Sequence, residues 1–403
     1  MKNSLRILHT SDWHLGKYLE NFSRLPEQEK VLEEIVSITN KQNIDLVLIA
    51  GDIFDTANPP IDAVKLFYST LTKLSSDGTR PVIVIAGNHD SPDRIESALS
   101  LSLEHGVILA GYPNFKATLG EIGKNIMIDR SSESFFELRL PSIESRIQII
   151  ALPYVSEERM RKSFSTEKTS ESFIIDYIAE KVKDEFSGDS FKLLLSHHFY
   201  TGSSLEIIEE SEDERSIVSV GGIGQISVSK LPDGIDYVAL GHIHKYHQLS
   251  GKKFPVIYSG SPIAYSLSEA DQQKFVVVTE ITKKETTIDK IPINSGKKIF
   301  RKEFNSPQDA IFWLKENPDA LVEITLNLEN YPEPKDLIEI RESHSGILNI
   351  IPFLRTNTLE KNSVPDIREP IEELFEKFFE SKNKIKPNEF LKNLFSEVLN
   401  EDE

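Results

Sequence analysis

The chain has 403 residues and a formal charge of −18, with 39% apolar and 27% charged residues. At roughly 150 residues per domain, this length predicts two or three folded units, and the ordinary composition excludes wholesale disorder. The absence of cysteine excludes disulfides, thiolate metal sites and a cysteine nucleophile, and it fits a reducing cytoplasm. The acidic balance argues against coating nucleic acid by bulk charge, but not against an enzyme whose metal ions supply positive charge locally. The first residues lack an apolar leader and no 18-residue apolar run occurs, so the expectation is a soluble cytoplasmic protein with no membrane anchor.

Short Val/Ile/Leu-rich runs recur along the first two-thirds, and each ends in polar residues. Leu5 to Leu8 leads into Asp12-Trp13-His14, Ile44 to Ala50 into Gly51-Asp52, and Pro81 to Ala86 into Gly87-Asn88-His89-Asp90. Later, Phe191 to Leu195 leads into Ser196-His197-His198, and Tyr237 to Leu240 into Gly241-His242-Ile243-His244. Such runs read as strands buried on both faces. Helical spacing between the first three, over Gln28–Thr39 and Val64–Leu74, implies right-handed crossovers and parallel strands. The carboxyl ends of such strands form a ligand crevice, so five strand ends are expected to deliver Asp, His and Asn to one rim. Residues 112–150 read as short strands and loops, and 156–187 as a polar helical stretch with no evident place. A hairpin of Phe275–Thr279 and Thr287–Ile293 closes this part, predicting a domain over 1–294.

After a polar linker, strand, helix, strand, helix and strand alternate over 297–355, predicting a small α/β domain. The tail, 360–403, reads as two amphipathic helices. The first carries Ile367, Ile371, Leu374, Phe375, Phe378 and Phe379. The second carries Leu391, Leu394, Phe395, Val398 and Leu399, beyond a basic break at 382–387. No internal repeat occurs. Gly221-Gly222-Ile223-Gly224 resembles a phosphate loop, but without a following Gly-Lys-Ser/Thr it reads as a plain loop.

The rim residues are Asp12, His14, Asp52, Asn88, His197, His242 and His244. Imidazoles and hard oxygen ligands, with a carboxylate able to span two ions, are what a pair of divalent cations needs. The mixture suits Mn²⁺, with Mg²⁺, Fe²⁺ or Zn²⁺ as alternatives. Two such ions clamp the attacking and leaving oxygens of a phosphoryl displacement.

The five blocks, in this order, resemble the calcineurin-like metallophosphoesterase superfamily. The stretches His9–Lys17, Gly51–Thr56, Ala239–His244 and Tyr258–Pro262 resemble the SbcD nuclease family within it. Asp55-Thr56-Ala57 stands where protein phosphatases carry Asp-Arg-Gly, which favours the nuclease branch. The resemblance implies an α/β fold: a two-sheet metallophosphoesterase sandwich flanked by helices, with a small α/β capping, DNA-binding domain and C-terminal helices. It implies one metal on Asp12, His14, Asp52 and His244, a second on Asp52, Asn88, His197 and His242, and catalytic roles for His89 and Asp55. His89 would bind the scissile phosphate or protonate the leaving oxygen, with the Asp55 acid orienting it. The implied activity is Mn-dependent, ATP-dependent 3′→5′ double-strand exonuclease and single-strand or hairpin endonuclease, serving DNA repair, replication and recombination. The implied partners are DNA and an SbcC-type, SMC-like ATPase gripped by the C-terminal helices. A homodimer within a heterotetramer is also implied, with helices over Ile61–Leu74 and Asp93–Leu103 as its interface.

Alternative readings share the ligands: a general phosphoesterase on small phosphodiesters, and a non-catalytic scaffold regulating an ATPase. The tail helices oppose the first, and the intact ligand set with His89 opposes the second. Asp90 reads as a turn carboxylate, and His9, His105, His247 and His344 as structural or solvent-facing. Lys17, Arg24, Arg94 and Lys245 are candidates for DNA phosphate contacts.

Overall fold

A computed structural model describes residues 1–164, 171–202 and 224–355, together with 374–376, 379, 387, 391–392 and 395. Met1–Phe353 forms one compact unit and Leu354–Glu403 another.

The first unit contains the expected two-sheet sandwich. Its first sheet has six strands in the order Thr286–Pro292, Phe275–Thr282, Ser4–Thr10, Leu46–Ala50, Val82–Ile85 and Val107–Ala110. The last four are parallel, and the Phe275 hairpin adds two antiparallel strands at one edge. The second sheet has eight strands. Tyr237–Leu240, Phe191–Ser196 and Ile147–Leu152 run parallel at its centre, and Phe135–Arg139, Ile126–Ser132 and Gly120–Ile122 extend it antiparallel. The five motif-bearing strands are therefore divided three and two between facing sheets.

Side-chain alternation along each strand explains the layering. Leu5, Ile7, Leu46, Leu48, Ile83 and Ile85 point inward and meet Ile147, Ile149, Leu193 and Leu195 of the other sheet. The intervening Leu8, Val47, Ile49, Val82 and Val84 point outward, under Val31, Leu32 and Ile35 of helix Leu25–Lys41 and Phe67 and Leu71 of helix Ile61–Leu74. On the far side, Ile150, Leu152, Leu194 and Val238 lie under Met160, Ile174 and Ile178. Those three belong to helices Glu157–Phe164 and Glu171–Glu185, so the polar stretch without an evident place is the outer layer of the second sheet. The helix expected over Asp93–Leu103 is broken at Ser97–Ala98, giving Pro92–Glu96 and Leu99–Glu104.

Ile299–Phe304, Leu321–Leu328 and Ile347–Leu354 form a separate three-stranded sheet. Helices Pro307–Glu316 and Pro334–Ser343 bury one face of it around Val322, Ile324 and Leu326. Trp313 packs edge-on against Phe300 at 5.2 Å between ring centroids. Ile299 and Leu321 join this sheet to the sandwich through Leu19 and Ala264. In the C-terminal unit the Phe375 ring stacks on Phe395 at 4.1 Å, and Lys392 pairs with Glu376 at 2.6 Å, so residues of the two expected stripes meet each other. Ile367, Ile371, Phe378, Leu394, Val398, Leu399 and Gly221–Ile223 lie outside the described residues. Among the described residues, no helix is long and apolar enough to cross a membrane.

Candidate metal centre

Asp12 and His14 follow the first strand of the first sheet, Asp52 the second, and Asn88 and His89 the third. The loops carry the parallel ladder beyond the strands: the Asp12, His14 and Leu15 amides donate to the carbonyls of Gly51, Asp52 and Ile53 at 2.9–3.0 Å. Asp12, His14 and Asp52 all adopt left-handed backbone, with φ of 54°, 41° and 50°. Such conformations strain non-glycine residues and cluster at functional sites. His197, His242 and His244 arrive from the facing sheet.

The two groups interlock. The His242 amide donates to Asp12 Oδ1 at 2.9 Å, and His197 Nδ1–H donates to the Ala50 carbonyl at 2.6 Å. Close approach makes glycine obligatory nearby. A Cβ on Gly241 would stand 1.9 Å from the Ala50 carbonyl oxygen, and one on Gly87 2.1 Å from Asp52 Oδ1. All seven rim residues therefore converge, although Asp12 and His244 lie 230 positions or more apart. His14, Asp52, Asn88, His242 and His244 line one small cavity with His89 and Lys17.

The donor chemistry fits divalent cations. His197, with its Nδ1 proton committed to Ala50, directs Nε2 at Asn88 Oδ1 (3.0 Å) and Asp52 Oδ2 (3.3 Å). His14 Nε2 faces His244 Nε2 at 3.0 Å and lies 3.6 Å from Asp52 Oδ2. Lone pairs aimed at one another need a proton or a metal between them. Burial alone would depress the His197 imidazole, but the Asp52 carboxylate outweighs it and raises His197 to about 9. Burial pushes the Asp12 carboxyl up to about 7 against the pull of His197 and His244. Carboxylate and imidazole atoms gather within 4.8 Å in three overlapping groups: Asp12–His14–His244, His14–Asp52–His89 and Asp12–Asp52–His197. Asp12, His14 and Asp52 each belong to two of them, and Asp52 Oδ2 lies near both His14 Nε2 (3.6 Å) and His197 Nε2 (3.3 Å), one from each sheet.

His89 donates from Nδ1 to the main-chain carbonyl of Asp55 at 2.9 Å, which leaves Nε2 for the cavity. The expected orienting role of Asp55 thus falls to its backbone. Its carboxylate instead pairs with Lys17 at 3.0 Å and stands 3.7 Å from His14 Nδ1. Asp90 is a turn carboxylate, accepting the amides of Ile53, Phe54 and Gly87 at 2.8–3.0 Å. His198 is stacked on Tyr154 and takes the Val155 amide on Nε2, so it faces away from the centre. His9 ties the two sheets, donating to the Leu240 carbonyl and accepting from Tyr237. His344 is held within the small sheet by Asn317 and Gly346. Arg24 does not reach solvent. It is 1% exposed and paired with Glu27, which corrects its place among the phosphate-contact candidates.

Two residues escaped sequence reasoning. Gln28 donates to the carbonyls of Trp13 and His14 at 3.0 and 2.8 Å and accepts the Gly16 amide, bracing the first loop. Arg159 donates to the carbonyls of Gly87 (2.8 Å) and Asp90 (2.5 Å), clasping Asn88-His89 from both sides. Most of their partners are main-chain groups, which leave no signature in a sequence.

Residues 5–246 match the family model for calcineurin-like phosphoesterases. The chain is 33% identical over 406 residues to the SbcD component of nuclease SbcCD from Bacillus subtilis (strain 168), covering 98% of this chain and 97% of the relative. The chain belongs to the SbcD family of calcineurin-like phosphoesterases. Lower-identity likeness extends to solved structures. GAP50, the anchor in the inner membrane complex of Plasmodium, is 12% identical with a TM-score of 0.42, over 74% of this chain and 88% of that one. A dimetal phosphatase from Danio rerio is 12% identical with a TM-score of 0.41, over 72% and 99%. Calcineurin-like phosphoesterases use divalent metals, and the Asp/His cluster is this chain's candidate metal-binding group.

Proposed function

We propose that the chain is the nuclease subunit of an SbcCD-type complex, hydrolysing DNA phosphodiesters. One observation carries this: six other oxygen- and nitrogen-bearing side chains converge around Asp52, with His89 at their edge and held by the Asp55 main chain. The end-to-end match to a relative described as part of a nuclease supports DNA as substrate and an SbcC-type ATPase as partner.

Two Mn²⁺, when bound, supply Lewis-acid polarisation of the phosphate and a lowered pKa for the attacking water. In this reading Asp12, His14, Asp52 and His244 would hold one ion, and Asp52, Asn88, His197 and His242 the other. Asn88 can take part because its amide oxygen stands 3.0 Å from His197 Nε2 and 3.1 Å from His242 Nδ1. His89 Nε2, free of the Asp55 carbonyl that holds Nδ1, delivers a proton to the departing 3′ oxygen. Lys17 lies in the same cavity, where its ammonium can meet a phosphate oxygen.

The proposed activities are ATP-dependent 3′→5′ double-strand exonuclease and single-strand or hairpin endonuclease, acting in cytoplasmic DNA repair, replication and recombination. Residues 1–294 would cut, 297–355 would cap the site and arrange the duplex, and the 360–403 helices would dock the ATPase. Homodimerisation through the Ile61–Leu74 and Leu99–Glu104 helices is supported by the exposure of Ile61 and Leu101. The test is co-purification with the large ATPase, then turnover of a DNA hairpin and of a chromogenic phosphodiester in Mn²⁺, with and without ATP. Hairpin cleavage that needs Mn²⁺ and rises with ATP is expected. Turnover of the small ester alone would make the chain a general phosphodiesterase.

A further inference from the structure

We propose that Glu269 is the positioning residue for His244, an inference that rests on the two-metal reading above. His244 turns Nε2 toward His14 and the centre, and on its other side Nδ1 lies 3.4 Å from Glu269 Oε1. A carboxylate on Nδ1 keeps the proton there, so the lone pair is on Nε2, where a metal ligand needs it. It also makes the imidazole a stronger donor. His197 turns its Nδ1 proton to a neutral main-chain carbonyl instead.

Glu269 is itself immobilised. It is 3% exposed, and Oε1 accepts the Tyr265 amide at 3.1 Å and the Ser266 hydroxyl at 3.3 Å. Its other oxygen takes the Lys274 ammonium. Lys274, also buried, donates onward to the His244 carbonyl at 2.8 Å and to Ser261 Oγ at 3.0 Å. One ion pair therefore grips both the ring and the main chain of a single ligand. A buried ion pair contributes little stability over well-packed apolar side chains, so stability alone gives it no reason to be here. Gripping His244 does. Glu269 ends the short turn Leu267–Glu269, 25 residues past His244 and outside every motif block. The chain just beyond that turn reaches the small sheet, where the Asp271 amide donates to the Ile299 carbonyl at 3.4 Å.

The test is Mn²⁺ binding to the full chain, by chelator competition and by the electron paramagnetic resonance signal of an exchange-coupled Mn²⁺ pair. Wild type, Glu269→Gln and the double variant Glu269→Gln/Lys274→Met are compared, with circular dichroism confirming the fold. The double variant removes the ion pair as a unit and keeps its volume. Both variants are expected to lose about 10–100-fold in affinity at one of two sites. The coupled signal should vanish at limiting Mn²⁺ and return at excess, with kcat recovering at saturating metal. The proposal is overturned if either folded variant binds two ions as tightly as wild type, or if the double variant restores what the single one lost. Failure of the double variant to fold would also overturn it, by assigning the pair to structure alone. A wild-type chain that binds fewer than two ions would instead sink the two-metal reading, and this inference with it.

Discussion

The two halves of the centre are built differently. The first-sheet loops are tied to each other by main-chain hydrogen bonds, Asp12 to Gly51 and His14 to Asp52, and they contribute three ligands with left-handed backbone. The second-sheet loops contribute imidazoles, His242 among them also at positive φ (101°). They reach the first half through side chains: His197 to Ala50 and Asn88, His242 to Asp12 and Asn88, and His244 to His14. Rigidity within a sheet comes from the backbone, whereas register between sheets comes from a few side chains. Damage at the seam should therefore cost more function than stability.

The largest expected effect is at Asp52, the group shared by both halves. If Asp52 bridges two ions as proposed, Asp52→Asn removes the shared charge and should lower kcat by about 10³-fold or more, the equivalent of several kcal/mol of lost transition-state stabilisation. Metal content, measured on the same sample, should fall as well. His89→Ala separates chemistry from binding: cleavage drops about 10²–10⁴-fold while bound Mn²⁺ stays unchanged. Unaltered cleavage by this variant would remove His89 from the mechanism. Arg159→Ala loosens the loop bearing Asn88 and His89 and should cost about 10–100-fold in kcat, with little change in melting temperature. Arg159→Lys should recover only part of this, because a lysine lacks the fork that spans two carbonyls.

The smallest effect concerns the seam itself and appears in pH dependence. Burial holds His9 and His198 neutral, with pKa values pushed from 6.5 down to about 3. Below pH 6.5 the unfolded chain takes up protons that the folded one refuses. Stability should then fall by about 1.4 kcal/mol per pH unit for each histidine until the pH nears 3. Buried His14, His242 and Asp12 also shift the slope of the metal-free chain, so the test is the difference. In urea unfolding between pH 5 and 6.5, His9→Gln should show a slope smaller than wild type by one histidine's share. An unchanged slope would mean that His9 is not held neutral between the sheets.

How much of this is legible in the sequence follows the same division. The ligands sit at strand ends after apolar runs, and their side chains carry the chemistry, so residue type and spacing reveal them. The antiparallel half of the second sheet reads only as short strands, because 120–132 mixes polar and apolar residues at its exposed edge. Gln28, Arg159 and Glu269 are invisible for another reason. Each lies on a helix or turn remote in sequence from what it holds, and much of what it holds is main chain. Arg24 misleads because proximity to a motif says nothing about burial.

The two tryptophans stand at opposite ends of this organisation. Trp13 is fully buried between Asp12 and His14, its indole N–H bonded to Thr10 Oγ1 at 3.0 Å, while Trp313 lies among the phenylalanines of the small sheet. Intrinsic fluorescence therefore has one emitter inside the candidate ligand loop and another in the small sheet. Trp313→Phe leaves a single optical reporter flanked on both sides by candidate ligands, so ion loading can be followed in a cuvette without attaching a dye.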